Sequence, residues 1–350
     1  MLRHNKFFFP ALIVLLAVVL LWGIAFGSVH IRLQDMFSGL KHAFSGEKPA
    51  NIHEAVFIQL RLPRVILCGI TGAILAVSGV LMQGLFRNPI VEPGLIGTSA
   101  GAGLGASVVF VLAPSFSPAV KEWAGTLLTP MIAFVGAMAS TIIVYSIAKN
   151  AKRISIMSLL LVGIAMNAVC LSGINFLAYT ARDSQARSIT FWNMGNFSGA
   201  SWLQVTVVGI AATVVFIISF SYSKQLNTLL LGEEEATYLG VDPDKLKRNI
   251  LLLNTIMVSV ATAFVGVIAF MGLIVPHMLR LMIGSDNKRL LPASMLLGSA
   301  LLICADTFGR LVLAPAEVSV GIITSLIGAP IFIILLKRFN LLQQKGGYNA

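Results

Sequence analysis

Phe7-Phe-Phe-Pro-Ala-Leu-Ile-Val-Leu-Leu-Ala-Val-Val-Leu-Leu-Trp-Gly-Ile-Ala-Phe26 runs for twenty residues without a charge. At about 1.5 Å per helical residue that length crosses a hydrocarbon layer of roughly 30 Å. Arg3 and Lys6 stand before it. A secretory signal has a shorter apolar core and a small-residue cleavage site. Ala25-Phe26-Gly27 is a poor one, so the run is expected to remain as an anchor.

Similar apolar segments recur at about 62–82, 95–113, 128–148, 155–178, 202–222, 249–267, 268–283, 291–309 and 318–336. With the first, at about 10–30, they predict an all-α membrane protein of about ten transmembrane helices per subunit. The seventh and eighth barely fill two spans, and Pro276 interrupts the second of them. The composition agrees: 57% of the 350 residues are hydrophobic and 11% are charged, and the mean hydropathy is +0.89. One soluble core could not hide so much apolar surface. No segment alternates apolar and polar residues as a membrane β-barrel strand does.

Gly97, Gly101 and Gly105 repeat at four-residue spacing, so a neighbouring backbone is expected to approach that face. Ala76-x-x-Gly79-x7-Arg87 and Ala269-x-x-Gly272-x7-Arg280 share a spacing, too few matches to establish an internal repeat. Cys68, Cys170 and Cys304 are scattered through apolar stretches and read as core packing rather than a disulfide framework.

The basic residues set the orientation. With the N-terminus inside, 16 of the 25 Lys and Arg fall on the cytoplasmic side, at 3, 6, 87, 149, 152, 153, 224, 245, 247, 248, 280, 288, 289, 337, 338 and 345, and 9 fall outside. That satisfies the positive-inside bias and places both termini in the cytoplasm. The net charge of +11 then follows from topology and anionic head groups, without nucleic acid.

Catalytic signatures are missing. The chain has no phosphate-loop, H-E-x-x-H or C-x-x-C motif. The histidines at 4, 30, 42, 53 and 277 show no metal-ligand spacing. His277, at membrane depth, reads as structural. Glu92, Asp306 and Glu317 all fall near helix ends, and no helix centre carries an acid. A proton- or cation-coupled carrier usually needs ionisable groups near the bilayer centre. Energy is therefore expected from another chain, although a secondary carrier or channel for a metal cation remains the competing class.

Two polar features stand out. On the cytoplasmic side, Leu231-Gly-Glu-Glu-Glu-Ala-Thr-Tyr-Leu-Gly-Val-Asp-Pro-Asp-Lys-Leu-Lys247 reads as a knob of two short helices. Glu233, Glu234 and Glu235 suit a first turn, Gly240 a left-handed stop, and Asp242-Pro243 the start of the second helix. The knob could dock into another protein, or be an ordinary solvated loop. On the outer side, Arg61, Arg64 and Arg310 defy the positive-inside bias. Arginine pairs bidentately with carboxylates, and it also snorkels to lipid phosphate. Periodicity does not choose between these.

From about residue 55 to 338 the chain resembles the permeases of ABC importers for iron-siderophore complexes, haem and cobalamin. The likeness rests on Arg61-Leu-Pro-Arg64, Gly72-Ala-Ile-Leu-Ala-Val-Ser-Gly79, Gln83-Gly-Leu-Phe-Arg-Asn-Pro89 and Glu92-Pro-Gly-Leu-Ile-Gly97. It continues through Leu239-Gly240-Val241, Phe270-Met-Gly-Leu-Ile-Val-Pro-His277 with Arg280, Ala305-Asp306 and Gly328-Ala-Pro330. One departure is Ser319, where the family usually has proline.

The resemblance implies a type II ABC importer permease fold, with residues 1–350 forming one transmembrane permease domain. It implies a homodimer in the bacterial inner membrane, with the translocation path on the two-fold axis. Two cytoplasmic ABC ATPase subunits, which carry ATP and Mg²⁺, would bind coupling helices at about 231–247, through Glu233, Glu234, Ala236, Leu239, Gly240 and Val241. A periplasmic binding protein would place glutamates on Arg61, Arg64 and Arg310. The chain itself would be no enzyme and would bind no cofactor or metal. Among family members, the segment from Asp183 to Trp202 looks most like that of haem permeases. Arg187 could then meet a propionate, with Phe191, Trp192 and Met194 as apolar, polarisable contacts; an aromatic belt at the interface is the plainer reading.

Overall fold

The computed structural model describes residues 6–27, 31–113, 125–150 and 153–346. Arg3, His4, His30 and Lys152 lie outside the described residues.

The chain is helical almost throughout. The spanning helices begin with α1 (Phe8–Ala25). An outer stretch follows: α2 (Leu33–Ser45), α3 (Ile52–Val56) and a π turn over Phe57–Arg61. Next come α4 (Leu62–Leu85), α5 (Thr98–Leu112), α6 (Leu128–Ala148), α7 (Ile156–Thr180), α8 (Asp183–Asn193) and α9 (Trp202–Ser221). Two short helices, α10 (Ser223–Leu229) and α11 (Glu233–Tyr238), lie on the cytoplasmic side. The chain returns through α12 (Pro243–Val265), α13 (Met271–Ile283), α14 (Asn287–Val312) and α15 (Val320–Gly346). A two-residue hairpin, Lys149–Asn150 against Arg153–Ile154, closes the α6–α7 turn.

Seven of these helices are long and apolar enough to cross a membrane, and Thr98–Leu112, Met271–Ile283 and Val320–Ile334 are shorter apolar helices. Together they make the ten spans that the apolar runs predict. The crowded seventh and eighth part at Val265 and Met271, not at 267 and 268. Gly266 (φ +78°) and Phe270 (φ +67°) turn the chain between them, and the Phe270 N–H donates to Glu92 Oε1 at 2.8 Å.

Helix α4 is the axis of the bundle. Its apolar window is 89% buried, against 17% for α7 and 22% for α9. The reason is its stripe of small residues. A Cβ on Gly72 would run into the Gly298 carbonyl of α14, and one on Gly79 into the Gly272 carbonyl of α13. The two glycines whose spacing suggested a repeat are thus packed against each other. Gln83 adds a polar tie, its Nε2 donating to the Leu273 carbonyl (3.1 Å) and its Oε1 accepting from Arg280 Nε (3.2 Å). The Gly97–Gly105 face meets α6 as expected: added Cβ atoms at Gly101 and Gly105 would lie 2.5 Å from the carbonyls of Gly136 and Ile132.

Gly79→Val is accordingly expected to prevent α4 from seating on α13. Overpacking usually costs about 1–3 kcal/mol. Here backbone opposes backbone and neither can rotate away, so the loss should reach the top of that range. Thermal unfolding in detergent checks it, and a wild-type midpoint would refute the close crossing.

Candidate functional site

The outer end of α4 carries the arginine cluster. Arg61 Nη1 donates to the carbonyls of Ile24 (3.1 Å) and Ala25 (3.2 Å). Arg310 Nη1 donates to Phe26 O (3.1 Å), and its Nη2 to Gly23 O (3.0 Å) and Thr307 Oγ1 (3.1 Å). Its Nε lies 3.1 Å from Asp306 Oδ2. These four carbonyls end α1, where no further helical turn can use them and the helix dipole is negative. Two guanidinium groups therefore cap the first span.

The three arginines expected to meet a binding protein differ in exposure. Arg61 and Arg310 are each only 5% exposed, because α1 folds back over them. Their guanidinium groups reach backbone carbonyls within the chain, and that of Arg310 also reaches Asp306 and Thr307. Arg64 is different. Its Nε and Nη2 fork onto Asp306 at 2.8–3.2 Å, and its Nη1 bonds Glu317 at 2.9 and 3.1 Å. The Glu317 side chain is 36% exposed, so this pair reaches the surface. It borders a cavity of about 190 Å³ that Phe191, Asn196 and Phe197 also line.

The α8 segment is pinned beside that cavity. The Asn196 N–H donates to Val265 O (2.8 Å), and the Gly321 N–H to Met194 O (3.1 Å). The start of α15 is thereby fixed even with Ser319 in place of proline. Arg187 and Phe191 are exposed, four residues apart on one face of α8. Trp192 and Met194 are not on that face. Trp192 is half-buried against the alanine cluster of Ala102, Ala106, Ala133, Ala137 and Ala263, and Met194 is half-buried too. Of the four residues expected on a substrate path, Arg187 and Phe191 are exposed and Trp192 and Met194 half-buried.

On the cytoplasmic side the knob is present with one correction. Helix α11 covers Glu233–Tyr238, but Asp242-Pro243 opens the full span α12 rather than a second short helix. The first short helix is α10, upstream. The stop after α11 is a Schellman motif: Gly240 N donates to Thr237 O (3.0 Å) and Val241 N to Ala236 O (2.9 Å). Gly240 has φ +83°.

Glu233 pairs with Lys247 Nζ at 2.7 Å, and that ammonium also reaches the Ile154 carbonyl at 3.3 Å. Asn227 accepts from the Asn287 N–H (2.8 Å) and donates to Asp286 (2.6 Å), which ties α10 to the start of α14. Asp242 caps α12 through the Lys245 and Asp244 N–H groups. The Lys245 N–H and ammonium hold its carboxyl below the usual carboxylate range. That cap is at full strength above the unfolded-state value and is lost only as pH falls through the lowered one.

Ala236 is fully buried and Val241 half-buried against the core, so both anchor the knob. Glu234, Tyr238, Leu239 and Gly240 are exposed, as is Leu231. The knob thus presents an exposed tyrosine and two exposed leucines on a braced base.

Sequence reasoning missed α2. Its Leu33, Met36, Phe37, Leu40 and Phe44 follow helical periodicity, and Gly46 (φ +71°) ends it. The Glu54 carboxylate holds it on α3, accepting from Ser38 Oγ (2.6 Å) and Ala50 N (2.8 Å) beside His42 Nδ1 (2.9 Å). Among the described residues no group of three or more His, Cys, Asp or Glu side chains could hold a metal ion.

Residues 15–338 match the FecCD transport family over nearly the whole chain. The chain belongs to that family.

Two permeases resemble it in sequence, and a solved transporter in fold. The hemin transport system permease protein HmuU of Yersinia pestis is 41% identical over 293 residues, 83% of this chain and 85% of that protein. The vitamin B12 import system permease protein BtuC of Vibrio parahaemolyticus is 36% identical over 330 residues, 93% of each chain. A metal-chelate type ABC transporter solved in an inward-facing conformation superposes with a TM-score of 0.81 at 28% identity, covering 96% of this chain and 100% of that one. This FecCD chain is an integral-membrane permease of the ABC-transporter class with the type II importer fold.

Proposed function

We propose that this FecCD permease imports haem. Two copies form the pathway in a bacterial inner membrane, and two cytoplasmic ABC ATPases drive alternating access from the 231–247 knob. ATP and Mg²⁺ belong to those subunits, and the chain carries no cofactor of its own. A periplasmic binding protein delivers the cargo to the outer face, where Glu317, paired with Arg64, is one charged group within its reach.

One observation carries the choice of haem: the 41% identity with a hemin permease over 83% of the chain. Arg187 beside Phe191 suits such a cargo, since a guanidinium can meet a carboxylate while the ring covers an apolar face. Cobalamin is the second reading, favoured by the BtuC match across 93% of both chains. A ferric siderophore is the third cargo of the same class.

The test is transport by the reconstituted permease–ATPase complex with binding proteins loaded with haem, a ferric siderophore or cobalamin. Haem-loaded protein is expected to stimulate both ATP hydrolysis and uptake. Arg187→Ala should slow uptake more than it alters docking, whereas Arg64→Glu should weaken docking, by opposing like charges. Uptake of the siderophore or cobalamin without haem would overturn the choice of cargo and leave the class standing.

A further inference from the structure

We propose that Glu317 is an internal stand-in for a carboxylate of the binding protein. Given docking on the outer face, as read above, an acidic side chain of that protein enters the cavity beside Arg64 and takes the place of Glu317 on the guanidinium.

The ion-pair network separates a fixed carboxylate from an exchangeable one. Arg64 donates to Asp306 through Nε and Nη2, and to Glu317 through Nη1 at 2.9 and 3.1 Å. Asp306 also lies 3.1 Å from Arg310 Nε, and its side chain is 4% exposed. Taking it from two guanidinium groups would leave buried charges unpaired. Glu317 stands in the connection between α14 and α15, and its side chain is 36% exposed. Among the described residues its carboxylate pairs with Arg64 alone. An exposed ion pair is worth little against water, so Glu317 can be released where Asp306 cannot. Arg64, Arg310, Asp306 and Glu317 together are neutral. A further carboxylate would meet like charge if it joined them, so it replaces one instead.

The cavity suits an anion. It has a volume of about 190 Å³, and Asn196, Ser198 and Ser319 line it beside the ion pairs. Asn196 Oδ1 accepts from the Ser198 N–H (3.3 Å) and hydroxyl (2.8 Å), which leaves the amide NH₂ to donate. The first residue of α15, Val320, is also in the wall, and it brings the positive end of that helix dipole to the cavity. A basic side chain entering here would face Arg64 and that dipole.

The experiment measures docking of binding proteins loaded with haem, a ferric siderophore or cobalamin to the permease–ATPase complex in nanodiscs. The protein that docks on the wild type is expected to bind Glu317→Gln about two- to fivefold more tightly, the worth of an exposed pair that no longer has to break. A merely structural role for Glu317 would weaken docking instead. Glu317→Asp, one methylene shorter and so a poorer partner for Arg64, should also tighten docking, with the charge unchanged. In an Arg64→Ala background Glu317→Gln should bring no gain, because no guanidinium is left to compete for. Unchanged or weaker docking of both Glu317 variants, beside a wild type that docks, would overturn the exchange and leave the docking reading standing. An equal gain in the Arg64→Ala background would make it a general charge effect and overturn it as well. Failure of every loaded protein to dock on any form would overturn the docking reading, and the exchange with it.

Discussion

Arg310→Ala is expected to give a permease that is largely misassembled, with a loss of about 3–5 kcal/mol, the usual penalty for removing one partner of a buried charge pair. The carbonyls of Gly23 and Phe26 would lose their donor, and Asp306 would keep only Arg64. Arg310→Lys should recover part of the loss. A single ammonium cannot reach Gly23, Phe26, Thr307 and Asp306 together as the planar fork does. The thermal midpoint and the recovered yield in detergent measure this. If Arg310→Ala unfolds at the wild-type temperature while binding-protein affinity collapses, the residue is a docking group after all and the capping role is wrong.

The second large effect is on energy coupling, and rests on the proposed role of the knob. Nothing lies within 4 Å of a Cβ built on Gly240, so a side chain there meets no neighbour. The strain is in the backbone: φ is +83°, where a non-glycine residue costs about 1–2 kcal/mol and a β-branched one fares worst. Gly240→Val should fray α11 while Ala236 stays in its buried socket. Transport is expected to fall about tenfold, the equivalent of 1.4 kcal/mol, and substrate stimulation of ATP hydrolysis to disappear. Gly240→Asn, which tolerates a left-handed conformation, should retain most activity. The dimer and binding-protein docking should be unaffected. Wild-type transport by Gly240→Val would remove this segment from the coupling path.

The sequence shows most of the fold because lipid imposes a simple rule. A run such as Phe8–Ala25 must be a helix to satisfy its own backbone groups. Seven helices meet that length rule outright, and the other three are short. The exact α12–α13 boundary escapes it, because Phe270 takes a left-handed conformation that no residue type announces. The knob was legible at Gly240 and Asp242, whose roles are local. The length of the helix after Asp242 was not, since nothing in the polar start of α12 separates it from the apolar run.

The arginines show the harder limit. Sequence places Arg61 and Arg310 at the outer face but does not tell what they face. Beside the local Asp306 and Thr307 of Arg310, their partners include carbonyls 36 and 284 positions away, and every residue has one. The surroundings of Trp192 are hidden for a related reason: Phe191 and Trp192 look equivalent in the chain, but adjacent residues on a helix point 100° apart, so one packs on alanines while the other is exposed.

The capped end of α1 also dictates an order of manufacture. The carbonyls of Gly23 to Phe26 leave the ribosome nearly three hundred residues before Arg310 does, and some thirty-five before Arg61. Through most of synthesis the first helix therefore has an outer end completed by water, and at best one guanidinium. It becomes a fixed wall of the bundle only when α14 arrives. A chain halted before α14 should hold α1 in the membrane yet leave its outer end without the Arg310 cap.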